Sequence, residues 1–345
     1  MQKILIVGKT LELGRTEELY GRGFETAGYE AKHFSWDTAE PSLLSRSLLQ
    51  RASWRLGWQL RAKTANKKLV EMVKQFQPHL IFVVSPLLMQ PSTIKAVQQY
   101  GLAFVFFTDN PLDNHHTHTN AWVQQGLTLW DGVLIWSQEL ITQISARGIS
   151  NVFYHPFCSD TKYHYPQTQS SQDYDVAFIG NWDDSGKREQ YLKAVSNYRL
   201  GIWGSNYWRT RCKEALIEFH QGMCSYAEIP QILGSAKIGL NILRPQNEMG
   251  HNIRSFEIPA SKTLMLSERN QELLNLFKED KEAVYFSNPK ELKQKVAYLL
   301  NNPILLESIA EAGYQKALQH RIDCRIREIE NLYETISNSQ VLIEK

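Results

Sequence analysis

Short apolar runs alternate with amphipathic stretches along most of the chain. The runs 3–7, 80–85, 103–108 and 132–136 are too short for helices and rich in Val, Ile, Leu and Phe, so they read as buried parallel strands. The stretches 29–36 and 151–154 add two more strands. Helical patterns at 15–27, 92–100 and 138–147 each stop at a glycine, Gly28, Gly101 and Gly148, the residue that best closes a helix. A polar stretch, 159–173, with Pro166 and a Gln/Thr/Ser run, reads as a linker. The alternation then restarts, with strands at 175–179, 199–203, 237–243, 263–267 and 284–286. Helices are predicted at 229–235, behind the capping box Ser225-Tyr-Ala-Glu228, and at 252–261, 271–277, 289–300 and 303–320. A last amphipathic stretch, 323–337, has no strand after it. Strand–helix alternation on this scale predicts an α/β protein with parallel sheets. It divides into 1–158, the linker 159–173, a second domain 174–322, and a C-terminal helix within 323–345.

Composition narrows the class. At 345 residues the chain has room for two domains, and 43% hydrophobic with 21% charged residues suits a globular protein with real cores. A net charge of +2 gives no electrostatic case for nucleic acid. Cys158, Cys212, Cys224 and Cys324 are scattered without C-x-x-C spacing, which suggests neither a zinc site nor a disulfide framework and fits a reducing, cytoplasmic setting. The start, Met1-Gln-Lys-Ile-Leu-Ile-Val7, is a strand pattern and not a signal peptide, and no run approaches a membrane span. Residues 42–70 carry seven basic residues and no acidic one, interleaved with leucines and with Trp54 and Trp58. Such a segment could rest peripherally on an anionic membrane face. One-sided amphipathicity is equally what a surface helix packed on a sheet shows, and that reading is favoured.

Three places carry candidate chemistry. The first is 237–267, a strand, a polar loop 244–250, a helix and a second strand. Asn252 is placed as the N-cap, so the free N–H groups of the helix start would suit a phosphate. Arg254 adds a cation one turn in, and Glu257 lies three residues later on the same face. Cation to diphosphate and carboxylate to ribose hydroxyls is one reading; a solvated i,i+3 ion pair is the other. The second is the loop Gly180-Asn-Trp-Asp-Asp-Ser-Gly-Lys-Arg188 between a strand and a helix, where Lys187 and Arg188 could face a diphosphate. It is not a Walker sequence, nor is Gly8–Gly14 a dinucleotide fingerprint. Gly204, at the next strand end, suits the floor of a base pocket or simple core packing. The third is Asp109-Asn-Pro111 after strand 103–108: Asp109 could take the proton of an acceptor hydroxyl, or form a turn. His115, His116 and His118 lack the supporting ligands of a zinc site and read as a solvated loop.

The run Arg254-Ser-Phe-Glu-Ile-Pro-Ala260, with Asn241, Arg244, Asn247 and Gly250 before it and Leu276-Phe277, Glu282–Phe286, Glu291-Leu292 and Asn302-Pro303 after it, resembles the glycosyltransferases related to the spore maturation protein CgeB. Where that family has Cys-Gly after the alanine, this chain has Ser261-Lys262. The resemblance implies the GT-B fold, two Rossmann-like domains whose parallel sheets face a central cleft, with the last helix crossing back to the N-terminal domain. It implies transfer of a sugar from a nucleotide-sugar donor to a hydroxyl of a glycan or lipid-linked acceptor. Asp109, Arg254 and Lys187 would serve catalysis, and Gly180, Arg188, Gly204, Asn247, Gly250, His251, Asn252 and Glu257 would bind the donor. Cationic side chains would replace a divalent metal, so no metal or cofactor is expected. Gly14 and Asp109 would face the acceptor. Family 4 glycosyltransferases, which retain configuration, place a further Glu eight positions before the ribose Glu. Met249 stands there, with Glu248 beside it, so retention and inversion both stay open, with a lean to retention. A nucleotide-sugar epimerase of the same fold and a non-catalytic binding module are the alternatives.

Overall fold

The computed structural model describes residues 2–36, 60–113, 119–167, 172–212 and 216–343. The histidines at 115, 116 and 118, and all of the basic stretch before residue 60, lie outside those residues. The chain forms two compact units, Met1–Pro156 with Ile322–Lys345, and Phe157–Arg321.

The first unit is built on a six-stranded, all-parallel sheet. Its strands are β1 (Lys3–Gly8), β2 (Glu30–Ser35), β3 (Leu80–Val84), β4 (Leu102–Phe107), β5 (Gly132–Ile135) and β6 (Val152–Tyr154), in the order β2-β1-β3-β4-β5-β6. All five residues of β3 are buried, as expected of a strand covered on both faces. Helices α1 (Thr16–Thr26), α2 (Leu60–Phe76), α3 (Pro91–Val97), α4 (Ala121–Gly126) and α5 (Gln138–Ser145) connect the strands. The short α4 escaped the sequence pattern because two turns give too little periodicity. It is set by a cap, Asn120 Oδ1 accepting from the amides of Trp122 and Val123. The last helix, α13 (Ile322–Ile343), packs on α1, where a Cβ at Gly23 would stand 2.8 Å from Ile322 Cγ1. Beside that contact His155 is 2% exposed and shares a 2.6 Å hydrogen bond with Tyr20 Oη. Burial, followed by the Arg325 charge, holds its basicity well below the ordinary histidine range.

The second unit repeats the plan with β7 (Tyr174–Ile179), β8 (Leu200–Trp203), β9 (His220–Gly222), β10 (Ala236–Asn241), β11 (Leu264–Glu268) and β12 (Val284–Phe286). All pairs are parallel and the order is β12-β11-β10-β7-β8-β9. From β7 the chain runs outward to β8 and β9, then returns to lay β10 on the other side of β7. That reversal makes β7/β10 a topological switch point, the place where an open α/β sheet opens a crevice at its strand carboxyl ends. Helices α6 (Lys187–Ala194), α7 (Tyr207–Thr210), α8 (Ile229–Gly234), α9 (Arg254–Ala260), α10 (Gln271–Leu276), α11 (Pro289–Leu300) and α12 (Pro303–Ala317) complete it. Two buried apolar layers cover the sheet, one around Phe178, Leu240 and Phe286, the other around Phe256, Met265 and Tyr285. The expected capping box forms, the Ser225 amide donating to Glu228 at 2.7 Å.

The stretch read as a linker is in part packed structure. Ser159, Asp160 and His164 are buried in the second unit, and the Ser159 amide donates to the His320 carbonyl at 2.9 Å. Polar composition signalled solvent, but these polar groups have partners inside the unit and so can leave water.

Candidate functional site

The carboxyl ends of β7 and β10 enclose a cavity of about 250 Å³. Gly180, Asn181, Arg188, Arg244, Asn252 and Arg254 line it, with Asn241 and Asn247. The backbone comes close here. A Cβ at Gly204 would stand 2.2 Å from the Gly180 carbonyl oxygen, which also accepts from Trp208 Nε1 at 2.8 Å. Only glycine permits that approach, so Gly204 shapes the strand ends rather than offering a side chain.

A ladder of small polar side chains fixes the other wall. Asn241, 1% exposed, donates to Ser255 Oγ at 3.0 Å and Ser267 Oγ at 3.1 Å. Asn252 Nδ2 donates to Asn241 Oδ1 at 3.0 Å, and Asn252 Oδ1 accepts from the Ser255 amide at 3.1 Å. The N-cap position falls on Ile253 rather than Asn252, but Asn252, one residue earlier, still takes an amide of the first turn of α9 and ties it to the end of β10.

Charge is concentrated at one edge. Arg188 is 6% exposed and donates to the carbonyls of Asn181 and of Ile242, the latter at 2.9 Å, bridging the two strand ends. Its Nε lies 3.3 Å from Asp183. Burial first, and then the neighbouring Arg244 cation, push its basicity down to about 10, with Arg254 adding to the repulsion. An anion in the cavity would offset the part of that depression that comes from the neighbouring cations. Three guanidiniums line one small space, and none of the lining residues is acidic.

The other expected site residues take different positions. Lys187 is braced between Glu248 Oε1 at 2.8 Å and Glu268 Oε1 at 2.9 Å and is not in the cavity wall. Burial opposes its charge, but the two hydrogen bonds outweigh burial and raise its basicity. Glu257 is 1% exposed, paired with Arg254 on one oxygen and 3.4 Å from His164 Nε2 on the other, behind the lining residues. His251 is fully buried: Nε2 accepts from the Phe157 amide at 3.2 Å, and the ring stands edge-on to Phe256. Gly250 is buried too, its carbonyl accepting from Asn270 Nδ2 at 2.7 Å. In the first unit Asp109 follows β4, and the turn bond there is made by Asn110, whose Oδ1 accepts from the Leu112 amide at 2.8 Å. Arg244, Asn181 and Asn241 were not among the expected site residues. The signal for Arg244 was its place directly after a buried strand.

Residues 187–331 match the family described as glycosyl transferase-like. No curated protein matches the chain. Among solved structures, the sucrose-phosphate synthase of Thermosynechococcus elongatus aligns with a TM-score of 0.72 at 12% identity, over 98% of this chain and 100% of that one. A glycosyltransferase from Rickettsia africae gives 0.68 at 13% identity, over 97% and 98%. HepE of Anabaena, in complex with UDP and glucose, gives 0.66 at 10% identity, over 96% and 100%. At such identities the structural likeness speaks to fold. The family match runs from the first residue of α6 through Arg244, Arg254 and Glu257, so this part of the second unit is glycosyl transferase-like, and the two six-stranded parallel sheets have the GT-B fold.

Proposed function

We propose that the cavity at the β7/β10 switch point holds the diphosphate of a nucleotide-sugar donor, and that the enzyme passes the sugar to an acceptor hydroxyl. The observation that carries this reading is the convergence of Arg188, Arg244 and Arg254 on a space with no acidic lining residue. Arg188 is spent on two backbone carbonyls and contributes mainly field, whereas Arg244 and Arg254 are the guanidiniums offered for direct hydrogen bonds. As the glycosidic bond breaks, charge grows on the leaving diphosphate, and pre-placed guanidiniums stabilise that charge more than they stabilise the bound donor. Lys187 supports this wall from behind, through Glu248 and Glu268. Glu257 is the carboxylate proposed for the ribose hydroxyls, and its pairing with Arg254 would tie sugar recognition to phosphate recognition.

A uridine nucleotide is the donor probe of choice, since HepE is recorded with UDP and glucose. The acceptor is proposed to be a glycan or lipid-linked hydroxyl, contacted by Asp109, and the relationship to CgeB-like enzymes rests on the 254–260 motif. Retention of anomeric configuration is proposed, and NMR of the product reads it; an inverted product assigns Asp109 the role of base in a single displacement. Catalysis is proposed to need no divalent metal, because guanidinium charge occupies that role. Activity abolished by EDTA and restored by Mg²⁺ or Mn²⁺ would refute this.

The central experiment is calorimetric titration of UDP and of uridine into wild type and Arg254→Ala. Loss of a charged hydrogen-bond donor is worth about 1.5–3 kcal/mol, so UDP should weaken by roughly ten- to a hundredfold while uridine changes little. Equal loss for both ligands, or for neither, removes the diphosphate assignment.

A further inference from the structure

The carboxylate of Glu257 is held from two sides. Oε2 takes the Arg254 guanidinium, and Oε1 faces Nε2 of His164 at 3.4 Å. Both acidic and imidazole side chains are buried, at 1% and 0% exposure. The tautomer of His164 follows from its other nitrogen: Nδ1 accepts from the Asp160 amide at 3.1 Å. A ring nitrogen that accepts carries no proton, so the neutral imidazole has its hydrogen on Nε2, the nitrogen that stands 3.4 Å from Glu257 Oε1.

The ring cannot easily turn away. Its own residue sits in a tight turn in which the His164 amide donates to the Asp160 carbonyl at 2.7 Å. The Tyr226 ring stands edge-on to it, with centroids 5.0 Å apart, and Tyr226 Oη donates to Asp160 Oδ2 at 3.4 Å. A turn, an aromatic contact and a backbone hydrogen bond therefore fix an imidazole whose Nε2 lies against a buried carboxylate. That carboxylate in turn grips an arginine of the cavity wall.

We infer that His164 is a positioning residue of the donor site: it holds Glu257 so that Arg254 presents its guanidinium to the cavity. The inference rests on the diphosphate reading of that cavity. A carboxylate held by one partner can rotate about its terminal bond and carry the arginine with it. A second contact on the opposite oxygen removes that freedom, in the way that outer partners orient the residues that touch a ligand. His164 lies outside the 187–331 family match and ninety-three positions before Glu257, so nothing in the local motif points to it.

The test uses the full chain and UDP. His164→Phe keeps the ring beside Tyr226 and removes both nitrogens; His164→Gln returns an N–H donor on a flexible chain. UDP and uridine affinities, donor KM, kcat and melting midpoint are measured for both variants, with Arg254→Ala as control. The phenylalanine variant should bind UDP about five- to tenfold more weakly, on the order of 1 kcal/mol, with uridine weakened by a smaller factor through the same Glu257 and donor KM raised in step. The glutamine variant should recover at least half of that loss. Wild-type UDP affinity in His164→Phe, with UDP binding lost in Arg254→Ala, overturns the inference and leaves the diphosphate site standing. Wild-type UDP affinity in Arg254→Ala removes the diphosphate site itself. An equal loss of UDP and uridine in His164→Phe at a lowered melting midpoint assigns a merely structural role and also overturns it. Should His164→Phe not fold, His164→Leu, which also removes both nitrogens, is read by the same outcomes.

Discussion

The two sheets share an architecture and finish it with opposite chemistry. In each, strand order reverses beside the unit's first strand, between β1 and β3 in one and between β7 and β10 in the other. In the first unit the turn after β1 is closed by an acid. Glu17, at the start of α1 and 6% exposed, accepts from the Lys9 amide at 2.7 Å, and a Cβ on Gly8 would stand 2.1 Å from its Cγ. A carboxylate thus takes an amide that a phosphate could otherwise use. In the second unit the acids of the corresponding turn do not close on the amide next to the strand: Asp183 accepts from the Ser185 amide at 3.1 Å and lies 3.3 Å from Arg188 Nε, and Glu189 accepts from Trp182 Nε1 at 2.7 Å. Its α6 begins with Lys187 and Arg188, and the space outside β7 and β10 is walled by guanidiniums. The same fold element therefore closes on its own carboxylate in one unit and is walled by guanidiniums in the other, and the residues in the turns decide which.

The largest effect that would sharpen this contrast is expected at Asp109. If the first unit contributes a carboxylate to the acceptor and the second holds the donor, Asp109→Asn should lower transfer by about a hundredfold or more, the scale of a lost acid–base contact. UDP affinity should stay unchanged. A variant with normal turnover returns Asp109 to turn duty, though Asn110 already makes that bond.

A smaller effect probes the closed turn. Glu17→Gln replaces a charged acceptor by a neutral one and should cost about 1–2 kcal/mol in urea unfolding of the first unit. UDP titration should be indistinguishable from wild type. If UDP weakens in this variant as much as in Arg254→Ala, the division of chemistry between the units is wrong.

The smallest effect lies at the amino end of the second sheet, away from the ligand chemistry. Hydrogen bonding from Arg199, against some burial and with help from Lys237, pulls the Asp175 carboxyl down to about 2. A folded-state value below the unfolded one means that this contribution is fully present above about pH 4 and lost as pH falls toward 2. Asp175 is half-buried but its main partner Arg199 is exposed and screened by solvent, so the change should be a fraction of a kcal/mol. Urea midpoints of wild type and Asp175→Asn at pH 5 and pH 2.5 measure it. The difference between the two proteins should shrink at the lower pH, and a difference that grows there reverses the assigned sign.

Much of the fold was legible in the sequence because it rests on local chemistry. Buried parallel strands must be continuous apolar runs, and β3, β4 and β10 were recognisable as such. Helix starts and stops followed caps and glycines, as at Ser225–Glu228 and Gly148. The three-residue strand β9 was not legible: His220-Gln-Gly222 has no apolar signature and exists because β8 offers it an edge. Arg188, Asn252 and Arg254, singled out in the sequence because they come after buried strands, all line the cavity. Their roles were a tertiary matter. Whether a cation faces a ligand or a carboxylate depends on which distant acid the fold brings up, and Glu248 and Glu268 reach Lys187 from 61 and 81 positions away in the chain, whereas Arg188 meets backbone carbonyls. Residue order alone determined that there would be two parallel α/β sheets and where their strands would end. Only the tertiary structure decided that Arg244 joins the wall, that His251 and Glu257 lie beneath the surface, and that His164 stands behind Glu257. Long-range packing, which leaves no periodic trace in a sequence, makes those choices.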